Sequence, residues 1–221
     1  MTKILALIPA YNEASHIRDV VTGARTHLPV LVVNDGSTDD TATRAEEAGA
    51  TLLDQIPNQG KGAALRAGFR WTLDAGYEAV ITLDADGQHD PAEIPKFLGA
   101  YADDQADLII GAREFEDMPP IRRLANTVGR WSFSWAIGQP ILDNQSGYRL
   151  ISRRLTEAIL ISGEAGFEFE VEMIVICVQR GFTLDWVPIR TIYADEGSHI
   201  RPWHHTVNFI RMVWQTRRSR H

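Results

Sequence analysis

The chain has 221 residues, 44% of them hydrophobic and 23% charged, which predicts one globular domain covering residues 1–221 with a sizeable buried core. Its net charge of −7 argues against a nucleic acid as the main partner. The single cysteine, Cys177, excludes an internal disulfide and fits a reducing compartment, and no apolar run reaches the roughly 18 residues of a transmembrane helix. We therefore expect a cytoplasmic protein.

Strand and helix signals alternate through the first half of the chain. Five short apolar segments predict strands: KILALIP, PVLVVND, ATLLD, YEAVITLD and ADLIIGAR. Four longer amphipathic segments between them predict helices: EASHIRDVVTGARTH, GSTDDTATRAEEAG, GKGAALRAGFRWTLDAG and DPAEIPKFLGAYA. Strands separated by helices of this length predict an α/β fold, with a mostly parallel sheet flanked by helices on both faces.

The pattern changes after Arg113. The sequence predicts a helix in PPIRRLANTVGRWSFSWAIG, a strand in GYRLIS, a helix in FEFEVEMIVICVQRG and an extended pair around Pro188. A final amphipathic helix is predicted at about residues 203–217. No repeat or low-complexity linker divides the chain, so we expect no second domain.

The C-terminal segment is basic although the whole chain is acidic. From Gly197 to His221 there is no acidic residue, and the basic residues are Arg201, Arg211, Arg217, Arg218 and Arg220. A basic amphipathic helix permits contact with an anionic membrane surface, so peripheral attachment at the cytoplasmic face of a membrane is one expectation. Packing of the apolar side of this helix on the domain is an alternative that remains open.

Two carboxylates stand where the predicted strand YEAVITLD meets a turn. Asp84 and Asp86 would repel each other there unless a cation compensates them, and Gln88 can add an amide oxygen or order a water. Magnesium takes one or two carboxylates and completes its coordination with waters and phosphate oxygens. The alternative is that these aspartates cap the next helix, but Asp90 already stands at that N-cap with Pro91 after it. The pattern therefore favours a Mg²⁺ or Mn²⁺ site.

Six motifs in order carry a resemblance to a known family: LIPAYNE, VVNDGSTDDT, NQGKGAALRAGF, TLDADGQHDP, IIGAR and DNQSGYRLISR. Together they resemble the family 2 glycosyltransferases of GT-A fold, in particular the branch with dolichyl-phosphate mannose synthases and polyprenyl-phosphate glucosyltransferases. The resemblance covers nearly the whole chain. It implies a single GT-A domain with a Rossmann-like nucleotide-sugar fold.

The resemblance also implies an activity. The expected reaction is the inverting transfer of a hexose from a nucleoside-diphosphate sugar, UDP-glucose or GDP-mannose, to an acceptor. A polyprenyl phosphate at a membrane surface is the acceptor that the branch implies. The expected cofactor is Mg²⁺ or Mn²⁺, bound by Asp84, Asp86 and Gln88.

The family's site residues carry over onto matching positions of this sequence. Donor binding is implied for Pro9, Tyr11, Glu13, Val33, Asp35, Lys61, Asp84, Ala85 and Gln88. Catalytic roles are implied for Asp86, Arg113 and Asp143, and binding of an anionic acceptor for Arg123, Arg149 and Arg201. The family usually has two aspartates where this chain has Asn34 and Asp35, so the nucleoside contact is assigned to Asp35.

Two other functions remain open at this point. A sugar nucleotidyltransferase also combines a parallel sheet with Mg²⁺ and sugar nucleotides, but LIPAYNEAS lacks the glycine-rich loop with which such enzymes usually open. A transferase-like protein that has lost activity and serves as a binding partner is the second alternative. The presence of Asp84, Asp86, Arg113 and the DNQSGYR loop argues against it.

Overall fold

Seven strands form one sheet in the computed structural model, which describes residues 2–113, 133–135, 137–162 and 169–190. The strands are β1 (Ile4–Ala10), β2 (Val30–Asn34), β3 (Thr51–Asp54), β4 (Ala79–Thr82), β5 (Leu108–Arg113), β6 (Arg149–Ser152) and β7 (Leu184–Ile189). Their order across the sheet is β3-β2-β1-β4-β6-β5-β7. Strand β6 is antiparallel to both of its neighbours, and the other described pairs are parallel.

Helices cover both faces of this sheet. They are α1 (Ile17–Arg25), α2 (Thr41–Glu47), α3 (Lys61–Asp74), α4 (Ile94–Asp104), α5 (Arg153–Ser162) and α6 (Phe169–Gln179), with a 3₁₀ turn at Pro91–Glu93. Apolar residues of α1, α2 and α4 share one core cluster with one face of the strands, and those of α3, α5 and α6 share the other. Cys177 of α6 is fully buried in the second cluster. The expected layers, helix on sheet on helix, are confirmed.

The register places one set of loops at a single edge of the sheet. The last residues of β1, β2 and β3 are level, because Ala10 pairs with Asn34 and Asn34 with Asp54. The end of β4 is level with the start of the antiparallel strand β6, where Thr82 pairs with Arg149. The loops after β1, β2 and β4 therefore meet the loop before β6 at the carboxyl edge, where open parallel sheets bind ligands.

The predicted elements agree with the structure in kind and differ at their ends. Helix α2 begins at Thr41, later than predicted, because the preceding residues form a turn. Asp90 caps its helix as expected, since its Oδ1 accepts from the N–H of Ala92 at 2.9 Å. The extended pair around Pro188 is instead the single strand β7, and a proline fits there because β7 lies at the edge of the sheet.

Helix α5 is an element that the sequence analysis missed. It starts directly after β6, and the Oγ of Ser152 accepts from the N–H of Leu155 at 3.3 Å. Leu155 and Ile159 are both buried, four residues apart on the same face. The signals were therefore a capping serine and a helical apolar spacing within RRLTEAILIS.

Two predicted helices fall wholly or largely outside the described residues. The helix at about 203–217 lies outside them, as does most of the segment PPIRRLANTVGRWSFSWAIG. Among the residues that the structure does describe, no helix has the length and apolar character needed to span a membrane.

Candidate active site

A cleft of about 440 Å³ opens at the carboxyl edge of the sheet. Its walls come from the ends of β1, β2 and β4, the loop before α3, and the first turns of α3. The lining residues are Pro9, Ala10, Tyr11, Glu13, Asp35, Asn58, Gly60, Lys61, Ala64, Asp84, Ala85 and Asp86. Apolar, amide and charged side chains converge here, as is usual for a small-molecule site.

The loops that follow β1 and β2 are fastened to each other beside this cleft. Asn12 accepts from the N–H of Thr38 at 2.8 Å, and the N–H of Glu13 donates to the Oγ1 of Thr41 at 2.8 Å. Asp39 accepts from the N–H of Ala14 at 3.2 Å and from the N–H of Thr41 at 3.0 Å. Burial raises the pKa of Asp39, but these hydrogen bonds lower it by more. The wall that carries Tyr11 and Glu13 is therefore fixed by side chains.

Asp35 anchors the loop that leads into α3. Its two carboxylate oxygens accept from the N–H of Gln59 at 2.9 Å and the N–H of Gly60 at 2.7 Å, and from the amide of Gln55 at 2.7 Å. Gly60 has a φ of 89°, which favours glycine, and stands at the N-cap of α3. Asp35 thus shapes the cleft floor through this loop, and only part of its accepting capacity remains for a nucleoside.

Asn34 supports the turn rather than the cleft. It is buried, its amide donates to Asp54 at 2.8 Å, and its Oδ1 accepts from the N–H of Ser37 at 3.2 Å. A neutral amide does both tasks, whereas a carboxylate could not donate to Asp54. The departure from two aspartates therefore has a local structural reason.

Lys61 joins two carboxylates at the rim of the cleft. Its Nζ lies 2.6 Å from Oδ1 of Asp84 and 2.8 Å from Oε1 of Glu170. Burial lowers the pKa of Lys61, but the charges of Asp84 and Glu170 outweigh burial and raise it above its ordinary value. Burial raises the pKa of Asp84, and the charge of Lys61 is the main cause of its net lowering. The Lys61 ammonium therefore lies between the carboxyl groups of Asp84 and Glu170.

His89 supports Asp84 from behind. The backbone N–H of Asp84 donates to Nδ1 of His89 at 3.0 Å, and the ring packs on Tyr148 at a centroid distance of 5.0 Å. Burial lowers the pKa of His89, the nearby carboxylates only partly oppose it, and the imidazole is therefore neutral at pH 7. The largest compensating positive charge at Asp84 is therefore that of Lys61.

The donor atoms of Asp84 and Asp86 fit a divalent cation that also binds a ligand. The Oδ1 of Asp86 accepts from the N–H of Gln88 at 2.9 Å, and Asp86 lines the cleft together with Asp84. A Cβ at Gly147 would lie 3.0 Å from Oδ2 of Asp84, so glycine leaves this carboxylate its space. Within the described ranges, no group of three or more acidic, histidine or cysteine side chains is arranged to hold a metal. Two carboxylates with ligand oxygens are the donor set that Mg²⁺ and Mn²⁺ accept.

Arg113 and Asp143 form a bidentate pair at the end of β5. The Nε and Nη2 of Arg113 donate to the two carboxylate oxygens of Asp143 at 2.7 and 3.1 Å. Asp143 is buried and also accepts from the N–H groups of Gln145 and Ser146, at 3.0 and 3.2 Å. Asp143 therefore fixes the Arg113 guanidinium and the loop before β6, and its oxygens are fully engaged.

Arg149 lies inside the protein. It is fully buried and donates to the backbone carbonyls of Asn144, Ser146 and Glu170, with distances of 3.2 Å to Asn144 and 2.7 Å to Ser146. Burial lowers its pKa to about 10, so it stays charged at neutral pH. The structure places this arginine as internal support for the loop before β6 and for α6, away from the cleft lining.

The structure brings most predicted donor residues together. The predicted residues that line the cleft are Pro9, Tyr11, Glu13, Asp35, Lys61, Asp84, Ala85 and Asp86. Val33 is fully buried in β2, and Gln88 is exposed outside the cleft lining, with its backbone N–H on Asp86. Arg123 and Arg201 lie outside the described residues. The roles assigned to these residues stay predictions.

Several residues of the site were not predicted from the sequence. Ala10, Asn58, Gly60 and Ala64 line the cleft, and Glu170 pairs with Lys61. Asn58 and Gly60 belong to the motif NQGKGAALRAGF, so their signal was a glycine-rich loop opening a helix. No sequence signal distinguished Glu170 from its neighbours in FEFEVEM.

Comparison with known proteins identifies the family. A family model described as glycosyl transferase family 2 matches residues 6–160. The chain belongs to glycosyl transferase family 2. The match contains every residue that lines the cleft.

Curated relatives of this family 2 member are similar over most of their length. The polyprenol monophosphomannose synthase of Mycolicibacterium smegmatis is 34% identical, over 90% of this chain and 83% of the relative. The undecaprenyl-phosphate mannosyltransferase of Micrococcus luteus is 31% identical, over 89% and 86%. These similarities confirm the resemblance to the dolichyl-phosphate mannose synthase branch.

Solved structures confirm the GT-A fold. The glucosyl-3-phosphoglycerate synthase of Mycobacterium tuberculosis, in complex with Mn²⁺, UDP and phosphoglyceric acid, has a TM-score of 0.73. That comparison covers 99% of this chain and 78% of the other at 20% identity. Another crystal structure of the same synthase gives a TM-score of 0.71 at 22% identity, covering 99% of this chain and 80% of the other. At such identities the likeness establishes the fold alone.

Proposed function

We propose that this family 2 glycosyltransferase moves a hexose from UDP-glucose or GDP-mannose to a polyprenyl phosphate, with inversion at the anomeric carbon. The observation that carries the proposal is the cleft in which Tyr11, Asp35, Lys61, Asp84 and Asp86 converge. Relatives named for undecaprenyl phosphate and polyprenol monophosphomannose support the acceptor class.

The cleft offers separate surfaces for the parts of a donor. Tyr11 is 49% exposed at the rim, so its ring is available to stack on a base. The loop held by Asp35 gives the nucleoside a rigid floor, and Lys61 supplies positive charge for a diphosphate. Asp84 and Asp86 would hold a divalent cation, which when bound neutralises charge that develops on the leaving diphosphate.

The reaction forms one bond and breaks one. A phosphate oxygen of the acceptor bonds to the anomeric carbon, while the bond from that carbon to the diphosphate oxygen breaks and the nucleoside diphosphate leaves with the electron pair. Because a lipid phosphate is already anionic, it needs no general base. The protein's tasks are to position the two reactants and to stabilise negative charge.

Positive charge on the acceptor side comes from Arg113. The bidentate pair with Asp143 holds its guanidinium at the carboxyl edge, with 24% of the side chain exposed. A fixed, partly exposed arginine suits an anionic acceptor or the leaving diphosphate. Arg123 and Arg201 are proposed as further contacts to the acceptor phosphate and lie outside the described residues.

The test is transfer from each donor to a polyprenyl phosphate in detergent micelles with Mn²⁺. We expect labelled hexose to enter the lipid fraction as one nucleoside diphosphate is released, and Asp86→Asn to abolish both. Transfer only to a hydroxyl acceptor would overturn the lipid-phosphate acceptor. A nucleoside triphosphate formed only when pyrophosphate is added would indicate a nucleotidyltransferase, which family membership disfavours. Binding without release or transfer would indicate an inactive relative.

Membrane attachment is part of the same proposal and has its own test. The basic residues at the C-terminus would attract anionic lipid, each by about 1 kcal/mol near the surface, and salt would weaken the attraction. We expect the full chain to sediment with anionic vesicles at low salt and less at high salt. Replacing Arg211, Arg217 and Arg218 by glutamine should reduce sedimentation, and equal sedimentation of this variant would contradict the proposal.

A further inference from the structure

We infer that Glu170 is a positioning residue, which keeps the Lys61 ammonium at the wall of the donor cleft while Asp84 holds a cation and a nucleotide. The inference rests on the proposed function and adds a residue to it. Glu170 does not belong to the cleft lining and acts through Lys61.

Lys61 needs a second anionic partner when a cation binds Asp84. Its Nζ lies 2.6 Å from Oδ1 of Asp84, so the ammonium occupies one of the two oxygens that Asp84 could offer to a divalent cation. A divalent cation bound to Asp84 would repel the ammonium, so the contact of Lys61 with Asp84 weakens when the site fills. Glu170, 2.8 Å away on the other side, is the second anion that holds the ammonium.

Two contacts hold the backbone at Glu170 in place, one at its own carbonyl and one between α6 and α3. Its backbone carbonyl accepts from the buried guanidinium of Arg149. One half-turn further along α6, Glu172 pairs with Arg66 of α3 at 2.6 Å, and both side chains are largely buried. These contacts fix the backbone at Glu170 relative to α3, and the side chain of Glu170 is only 16% exposed.

Helix α3 holds Lys61 at an equally constant position. A Cβ at Gly68 would lie 2.4 Å from Cδ1 of Leu7, so α3 packs against β1 at a distance that only glycine allows. The two helices and the sheet thus fix the anchor points of Lys61 and Glu170. The long side chain of Lys61 allows its ammonium to move from Asp84 to a diphosphate while it stays paired with Glu170.

Removing the charge of Glu170 should therefore leave Lys61 with Asp84 as its anionic partner among the described contacts. The ammonium would then compete with the cation for Asp84 instead of assisting it. We expect Glu170→Gln to weaken binding of the nucleoside diphosphate in the presence of Mn²⁺ by about tenfold, the loss expected for one charge-assisted contact. The thermal midpoint should stay near that of the wild type, because a partly exposed ion pair contributes little to stability.

The experiment is calorimetric titration of UDP and of GDP, each with Mn²⁺, into the full chain and four variants. The variants are Glu170→Gln, Lys61→Gln, the double variant and Glu172→Gln, a matched control on the same helix. We expect Glu172→Gln to lower the thermal midpoint and keep the affinity. In the Lys61→Gln background, Glu170→Gln should cause no further loss, since its effect passes through the ammonium.

Each other outcome has a defined meaning. If the wild type binds and Glu170→Gln binds equally well, the inference is wrong and the proposed function stands. Independent, additive losses in the double variant would also overturn it, because they would indicate a structural role for Glu170. If the wild type binds neither UDP nor GDP, the proposed function fails, and the inference fails with it.

Discussion

The two edges of the sheet each place an aspartate next to a basic residue, with different results. At the amino edge, Asp107 is 2% exposed and its carboxylate accepts from Ser152 at 2.9 Å, from the N–H of Thr183 at 2.9 Å, and from Arg154. At the carboxyl edge, Asp84 is 27% exposed and is paired with the single ammonium of Lys61. Both carboxylates have a pKa below the ordinary value.

The two aspartates differ in how many of their carboxylate oxygens remain free to accept from a ligand. Hydroxyl, backbone and guanidinium donors use both oxygens of Asp107, so this aspartate joins β5, β6 and the start of β7 and stabilises the fold. Asp84 is paired with Lys61, whose long side chain is 42% exposed, and an open cleft lies in front of it. A carboxylate held by rigid donors is structural, whereas one held by an exchangeable cation is ready to bind a ligand.

The largest effect should come from Asp86, at the open edge. Asp86→Asn removes a charge that the proposed cation needs, so transfer should fall by at least about a hundredfold. The thermal midpoint should change little, because the carboxylate makes one described hydrogen bond, to the N–H of Gln88. Transfer kinetics and a melting curve measure the two effects. Near wild-type transfer with Mn²⁺ present would show that the cation does not depend on Asp86.

Arg149 also lies near the carboxyl edge, and a substitution there can distinguish a structural role from a contact with the acceptor. Arg149→Met leaves the carbonyls of Asn144, Ser146 and Glu170 without their donor, and should lower the free energy of unfolding by about 3 kcal/mol. Urea unfolding measures the change. A variant as stable as the wild type that loses only acceptor binding would favour the substrate contact predicted from the sequence.

At the opposite edge, Asp107 should make the stability of the fold depend on pH. Burial raises the pKa of Asp107, but its hydrogen bonds outweigh burial and lower the pKa to about 2 from an ordinary 3.8. The stability that Asp107 contributes is therefore complete above about pH 4 and is lost as the pH falls toward 2. Asp107→Asn should cost about 2 kcal/mol at pH 7, and less with each step down from pH 4. Urea unfolding of both proteins at pH 7, 4 and 3 follows this difference. A constant difference would contradict the assignment.

The smallest effect should belong to Asp35, which stabilises the cleft through a loop. Asp35→Ala removes the anchor of Gln59 and Gly60, and should raise the KM for the donor about tenfold, equal to about 1.4 kcal/mol. Gln55→Ala is the control, because it removes one hydrogen bond to Asp35 and leaves the loop anchored. An unchanged KM for Asp35→Ala would exclude Asp35 from donor binding.

The sequence predicted residues at the ends of parallel strands well. An apolar run that stops at a polar residue marks such an end, and parallel strands bring those ends to one edge, so Asp35, Asp84 and Asp86 could be grouped without coordinates. The same reasoning predicted the layered α/β fold. It needs only the local pattern and the rule of parallel pairing.

Residues whose position depends on later pairing could not be predicted in this way. Strand β6 runs antiparallel to its neighbours, and no local sequence pattern predicts that direction. Arg149, at the start of this strand, is buried although arginine is mostly exposed in proteins. A helix was predicted over FEFEVEMIVICVQRG, but the acidic residues at its start alternate with period two, so their spacing marks none of them as a site residue. Only the packing of α6 on α3 shows that Glu170 contacts Lys61 while Glu172 contacts Arg66.

The rate at which Cys177 reacts with an alkylating reagent should report the opening of α6. This cysteine is the single thiol of the chain, it is fully buried on the helix that carries Glu170, and burial raises its pKa to about 12. Since alkylating reagents attack the thiolate, labelling of the native protein must wait until this helix separates from the sheet. The labelling rate therefore reports how often that separation occurs. A donor that stabilises the contact of Lys61 with Glu170 should lower the labelling rate of Cys177. The labelling rate should therefore depend on whether the cleft is occupied.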